Sequence, residues 1–165
     1  MNQLRILVAD DSQTMRAAYK EILETRENIL VVGMASDGLE ALGKTAELGP
    51  NVAILDVRMP NMDGLATANR IMAQDTPTAI VLVSAYDDLA FIRAIKHSGA
   101  ERKAYILKNS LDNIPEFIRV VEAVANGQAV LHKTIIQRLM DIYHKLSDKL
   151  SDAQVTQLTD PEEKS

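Results

Sequence analysis

The sequence predicts a doubly wound α/β fold around a parallel sheet, and three observations lead there. Short runs rich in Val, Ile and Leu alternate five times with stretches of helical spacing. Most of those runs lack polar alternation, which is how strands buried on both faces read. Polar residues with chemical potential follow several of the runs directly, where the carboxyl ends of parallel strands would lie. Five βα units require right-handed crossovers and place helices on both sides of the sheet. At 165 residues the chain has room for one such domain and an appendage.

The strands are expected at 4–9 (LRILVA), 29–34 (ILVVGM), 51–55 (NVAIL), 78–83 (TAIVLV) and 104–107 (AYIL). Between the first two, Met15, Ala18, Tyr19, Ile22 and Leu23 recur at helical spacing and share one face. Asp37 and Glu40 form a D-x-x-E capping box ahead of Leu39, Leu42 and Ala46. Leu65, Ala68, Ile71 and Met72 mark a third helix, and Leu89, Ile92 and Ile95 a fourth. Ile114, Phe117, Ile118, Val121 and Val124 mark a fifth, which should stop at Asn126-Gly127. The domain is therefore expected over 1–127.

Beyond Gly127 no further strand is expected. Ile136, Leu139, Tyr143, Leu146 and Leu150 follow 3-4-3-4 spacing, an a/d seam two heptads long. That pattern fits a dimerising coiled coil, and equally an extra helix laid on the domain or a linker, because two heptads do not decide. Residues 128–150 are read as this linker or extra helix, and 151–165 as a polar tail.

Composition narrows the function classes. The net charge of −5 argues against a broad grip on nucleic-acid phosphates and against a polybasic membrane anchor. With no cysteine, the chain has no disulfides, thiolate metal sites or cysteine nucleophiles. No apolar run approaches the length of a membrane span and no signal-peptide pattern opens the chain, so a cytoplasmic protein is expected. G-x-G-x-x-G is absent, which disfavours a dinucleotide domain.

Asp10-Asp11 follows the first strand, Asp56 the third, Ser84 the fourth and Lys108 the fifth, while the second ends in Met34-Ala35. This pattern fits a strand order 2-1-3-4-5, with a site above strands 1 and 3 where the order reverses. Three carboxylates at one rim call for a counter-charge. Mg²⁺ fits, since it takes one or two carboxylates, keeps waters and completes its octahedron with phosphate oxygens. Lys108 adds a point charge suited to a phosphoryl oxygen, and Ser84 a hydroxyl donor. Together they suit phosphoryl transfer to an aspartate. Each residue has a plainer role when taken alone. Asp11 or Ser12 could cap the first helix, Ser84 could open an S-x-x-D box with Asp87, and Lys108 could be a solvated lysine. Their conjunction at strand ends favours the site.

These residues resemble a known family. Asp10-Asp11, the stretch Asp56-Val57-Arg58-Met59-Pro60 with Met62-Asp63-Gly64, Ser84-Ala85, and Tyr105-Ile106-Leu107-Lys108 are similar to the flavodoxin-like, CheY-like receiver domain of two-component response regulators. The resemblance spans about residues 4–127. It implies that Asp56 is the phosphoacceptor and that Asp10, Asp11, Asp56 and the Arg58 carbonyl hold Mg²⁺. It further implies that Ser84 and Lys108 bind the phosphoryl group, and that Tyr105 is an aromatic switch turning inward as Ser84 moves. The donor would be a sensor histidine kinase or phosphotransfer protein, and the responding surface would be the face of the fourth helix, fifth strand and fifth helix. Such a receiver is a switch and not itself an enzyme.

Residues 116–127 and 131–139 resemble the NarL/LuxR-type subfamily, in which a linker leads to a helix-turn-helix, and Leu158-Thr159-Asp160-Pro161-Glu162 resembles the opening of that domain. A transcription regulator is thus implied for a full-length protein, with DNA bound by the helix-turn-helix domain and no nucleic acid bound by this chain. A rival reading is a phosphorylation-independent pseudo-receiver, a dimeric interaction module joined through 132–150. Two departures from the receiver pattern stand out. The loop at 101–104 is about two residues longer than the pattern, and Asn109 stands where many receivers have a cis proline after the lysine. Without proline a cis bond costs about 3 kcal/mol, so the Lys108–Asn109 bond is either strained by the site or trans.

Overall fold

A computed structural model describes residues 3–74, 76–85, 102–131 and 133–149. Its elements are β1 (Leu4–Ala9), α1 (Gln13–Leu23), β2 (Ile29–Ala35), α2 (Gly38–Leu48), β3 (Val52–Asp56), α3 (Gly64–Ala73), β4 (Ala79–Ser84) and β5 (Lys103–Leu107). A 3₁₀ turn (Lys108–Asp112), α4 (Ile114–Ala125), β6 (Val130–Leu131) and α5 (Lys133–Lys149) follow. The helix expected around Leu89, Ile92 and Ile95 lies outside the described residues, as do Tyr86, Asp87 and the polar tail.

All strands pair in parallel, in the order β2-β1-β3-β4-β5-β6. The expected order 2-1-3-4-5 holds, with one addition: a two-residue β6, beyond Gly127, lies along β5. β3, β4 and β5 are buried along their whole length, including the polar residues Asp56, Ser84 and Lys103 at their ends. On one face Ile6, Val8 and Ile54 pack with Tyr19 and Leu23 of α1 and with Phe117, Ile118 and Val121 of α4. The rings of Tyr19 and Phe117 lie 5.9 Å apart. α2 and α3 supply the buried residues Ala41, Thr45, Ala68 and Ile71 and pack against each other and the sheet. Among the described residues, no helix is long and apolar enough to cross a membrane.

Side-chain caps start the helices and thereby fix where the strand-end loops turn. Ser12 Oγ accepts the Met15 N–H, so Ser12 and not Asp11 is the cap of α1. Asp63 and Asn113 cap α3 and α4 in the same way. At α2 the Asp37 carboxylate accepts the Glu40 N–H, but Glu40 returns its carboxylate to the N–H of Ser36, one residue before the cap. The capping box thus closes on the residue ahead of its usual partner. Asp37 also accepts from the Asn61 amide at 2.8 Å, tying α2 to the loop after β3.

The chain divides into two units between residues 132 and 133, and α5 is described by itself. Ile136, Met140, Tyr143 and Leu146 of this helix are exposed, while the side chains of Leu139 and Leu150 lie outside the described set.

Candidate functional site

Asp10 directly follows β1, and Asp56 is the last residue of β3. Because β1 and β3 are neighbours, the two side chains meet at the switch point of the sheet. Asp10 is fully buried and Asp56 nearly so, whereas Asp11 is exposed. Oxygens from the three carboxylates lie within 4.8 Å of one another. Lys108, at the end of β5, reaches back so that its Nζ is 3.1 Å from Asp56 Oδ2 and 3.7 Å from Asp10 Oδ2. Four of the five residues expected at one rim, Asp10, Asp11, Asp56 and Lys108, are therefore in one pocket.

The electrostatics of that pocket are unbalanced. Burial raises the Asp56 pKa above the ordinary carboxylate value, and the neighbouring Asp10 charge raises it further, against the pull of Lys108 and of the Arg58 N–H. Burial works to lower the Lys108 pKa, yet the bond to Asp56 and the charges of Asp56, Asp10 and Asp11 outweigh it and raise the value. One ammonium group thus does not compensate the carboxylates around it. Asp10 Oδ1 accepts the Ser12 N–H at 2.9 Å, but Asp10 Oδ2 is buried without a hydrogen-bond partner among the described residues. A buried, unsatisfied carboxylate oxygen facing further acidic oxygens fits a hard cation, and the all-oxygen donor set suits Mg²⁺.

The remaining predicted residues stand at the same rim in different ways. The Arg58 N–H approaches Asp56 Oδ1 at 3.3 Å. Arg58 also lines a cleft of about 420 Å³ with Asp11, Val57, Met59, Pro60, Asp63 and Leu65. Ser84 closes β4, is fully buried, and donates its hydroxyl to the Ala85 carbonyl at 2.7 Å. Tyr105 is only 1% exposed, so its ring is already inside. The Lys108–Asn109 bond is trans, and the chain enters a 3₁₀ turn there. In the long loop, Arg102 takes a positive φ of 53° and Lys103 becomes the first residue of β5.

Two groups beside the pocket are not among the site residues expected from the sequence. Arg16 donates through Nη1 to the Asp10 carbonyl at 2.7 Å. Its signal was present in the sequence, since a cation near a helix N-terminus opposes the macrodipole and needs another reason to be there. Tyr19 has its hydroxyl buried with no hydrogen-bond partner among the described residues. Burial, with the charges of Asp10 and Asp56 adding to it, raises its pKa.

Burial also pushes the Tyr105 pKa up, from about 10 to about 12. A raised value favours the protonated hydroxyl in the folded state. Its contribution to stability is fully present below pH 10 and is lost as pH climbs through 12. Alkaline titration followed by tyrosinate absorbance should show a component near 12 that Tyr105→Phe removes. A Tyr105 component at the ordinary tyrosine value would contradict the buried placement.

A parallel sheet covered by helices, with an acidic pocket and a lysine at the switch point, defines the class as the flavodoxin-like receiver fold. The response regulator receiver domain family matches residues 6–119. The chain is 32% identical over 151 residues to the oxygen regulatory protein NreC of Staphylococcus haemolyticus, covering 90% of this chain and 68% of that protein. It is 31% identical over 137 residues to the transcriptional regulatory protein YhcZ of Bacillus subtilis, covering 83% and 62%. Among solved structures, the signal receiver domain of NarL from Mycobacterium tuberculosis superimposes with a TM-score of 0.70 at 33% identity, covering 78% of this chain and all of that one. The chain belongs to the response regulator receiver domain family, and it spans about two-thirds of the length of these curated relatives.

Proposed function

We propose that the pocket is a phosphoacceptor site in which Asp56 takes a phosphoryl group from a phosphohistidine. The supporting observation is the pairing of a buried Asp56 with Lys108 at 3.1 Å beside the unsatisfied Asp10 carboxylate. An Asp56 carboxylate oxygen attacks phosphorus, the P–N bond to the donor imidazole breaks, and the departing nitrogen keeps the electron pair and takes a proton. The product is an acyl phosphate on Asp56. Asp10, Asp11, Asp56 and the Arg58 carbonyl would hold Mg²⁺, which when bound neutralises charge on the transferring group. Lys108 supplies a fixed positive charge to a phosphoryl oxygen, and the Ser84 hydroxyl rotates from the Ala85 carbonyl to another. The Tyr105 ring is held inside once Ser84 has moved, and the face built on β5 and its flanking helices changes its population of states.

In this reading residues 1–127 are the receiver, 128–150 the linker and 151–165 a tail leading toward an output domain. A transcription regulator is the output that the likeness to YhcZ supports, and the cytoplasm is its proposed location. A sensor histidine kinase or phosphotransfer protein is the donor, and DNA is the partner of a full-length protein. The exposed Ile136, Met140, Tyr143 and Leu146 support a homodimer through 132–150. They would equally serve a phosphorylation-independent dimeric module.

Incubation with acetyl phosphate separates the two. The phosphoacceptor reading expects one phosphoryl adduct by intact mass, formed only with Mg²⁺. Absence of any adduct would leave the pseudo-receiver. Mg²⁺ alone should also raise the melting temperature by mass action, by about 2.7 kcal/mol of stability at a hundredfold excess over its dissociation constant. Asp10→Asn should lose that rise, and an unchanged rise in the variant would place the ion elsewhere.

A further inference from the structure

α4 ends in a Schellman motif. Gly127, at φ 90°, donates its N–H to the Val124 carbonyl, and Gln128 donates to the Ala123 carbonyl. The turn sends the chain back along β5, where Val130 pairs with Ala104 and Leu131 with Tyr105. Strand alternation separates the two side chains. Val130 lies with Ala104 and packs against the core under α1 and α4, while Leu131 lies with Tyr105 on the opposite face. Without β6, β5 would be the edge strand at Tyr105, with a free side over which the ring could swing. With β6 in place, half-buried Leu131 stands on that side.

We infer that β6 is a latch and Leu131 a positioning residue for Tyr105, so that the phosphorylation state of Asp56 sets whether residues 130–131 remain paired with β5. The inference rests on the phosphoacceptor reading and extends it to the segment entering α5, whose first residue follows Leu131 by two. Ring in and strand paired occur together in the structure. A ring that swings outward needs the space beside Leu131, so β6 must leave first. A phosphoryl group that holds Tyr105 inside therefore also favours the paired strand. By linkage, the paired strand favours the phosphorylated state to the same degree. Two residues form a pairing weak enough to open below the cost of global unfolding, as a latch requires.

Hydrogen exchange across 128–132 in the full chain, with and without Mg²⁺ and beryllofluoride, tests the latch. Beryllofluoride stands in for the phosphoryl group, and its binding is read independently by ¹⁹F NMR. Exchange should slow by roughly tenfold on binding. Leu131→Ala should weaken beryllofluoride by roughly fivefold or more, and Tyr105→Ala should leave exchange of the segment indifferent to it. Binding to the wild type with no change in exchange, or undiminished binding to Leu131→Ala, overturns the latch alone. Failure of the wild type to bind overturns the phosphoacceptor reading and the latch with it.

Discussion

Lys108→Ala is expected to slow phosphorylation of Asp56 by acetyl phosphate by about a hundredfold, the usual cost of deleting one fixed donor to a developing charge. The lysine is within 3.1 Å of Asp56 and 3.7 Å of Asp10, so its loss also leaves two buried carboxylates facing one another. Cation binding should therefore tighten in the variant even as transfer slows, since the repelling ammonium is gone. Opposite signs for ion affinity and rate are what distinguish a residue acting on the phosphoryl group from one that merely shapes the pocket. A rate within a few-fold of wild type would mean that Lys108 is a structural counter-ion only.

Gly64→Ala is expected to have a large effect on stability. An alanine Cβ there would stand 2.2 Å from the Asp56 carbonyl oxygen and 2.9 Å from Val57 Cα, and both are backbone atoms that cannot rotate away. The Gly64 N–H also donates to the Val57 carbonyl at 2.9 Å, closing the loop that carries Arg58. Making room must move either the start of α3 or the end of β3, at about 3 kcal/mol. Phosphorylation should fall with stability, because the displaced residue is Asp56 itself. Gly43→Ala is the internal comparison. Its Cβ meets nothing within 4 Å in the middle of α2, so it should stabilise by roughly 0.5–1 kcal/mol. Thermal melts of the two variants check both signs, and a neutral Gly64→Ala would contradict the packing at the switch point.

How much of this was legible in the sequence depends on the length of the signal. The strands announced themselves as Val, Ile and Leu runs, and β3 and β4 differ from expectation by one residue at each end. The sequence reading stopped at Asp56 and Ser84 because they are polar. Backbone pairing does not, and it carries Asp56 opposite Val83 and Ser84 opposite Leu107. β6 was illegible because two residues carry no periodicity, and only a Schellman turn at Gly127 and an open β5 edge create it. Asp10, Asp11, Asp56 and Lys108 were legible as a group, since the ends of parallel strands converge at one rim whatever the details of packing. The direction of the Ser84 hydroxyl and the cap at Ser12 instead of Asp11 were not, because both are settled by local geometry among equivalent oxygens. Arg16 reaches the Asp10 carbonyl only once α1 has wound a full turn, so spacing alone did not reveal it.

The central claim is that Asp56 accepts the phosphoryl group. It is tested most directly by intact-mass and peptide mapping of wild type and Asp56→Asn after incubation with acetyl phosphate and Mg²⁺. A single adduct on the peptide containing Asp56, lost in Asp56→Asn and when Mg²⁺ is chelated, is the result predicted. An adduct that persists in Asp56→Asn, or none in the wild type, would contradict it.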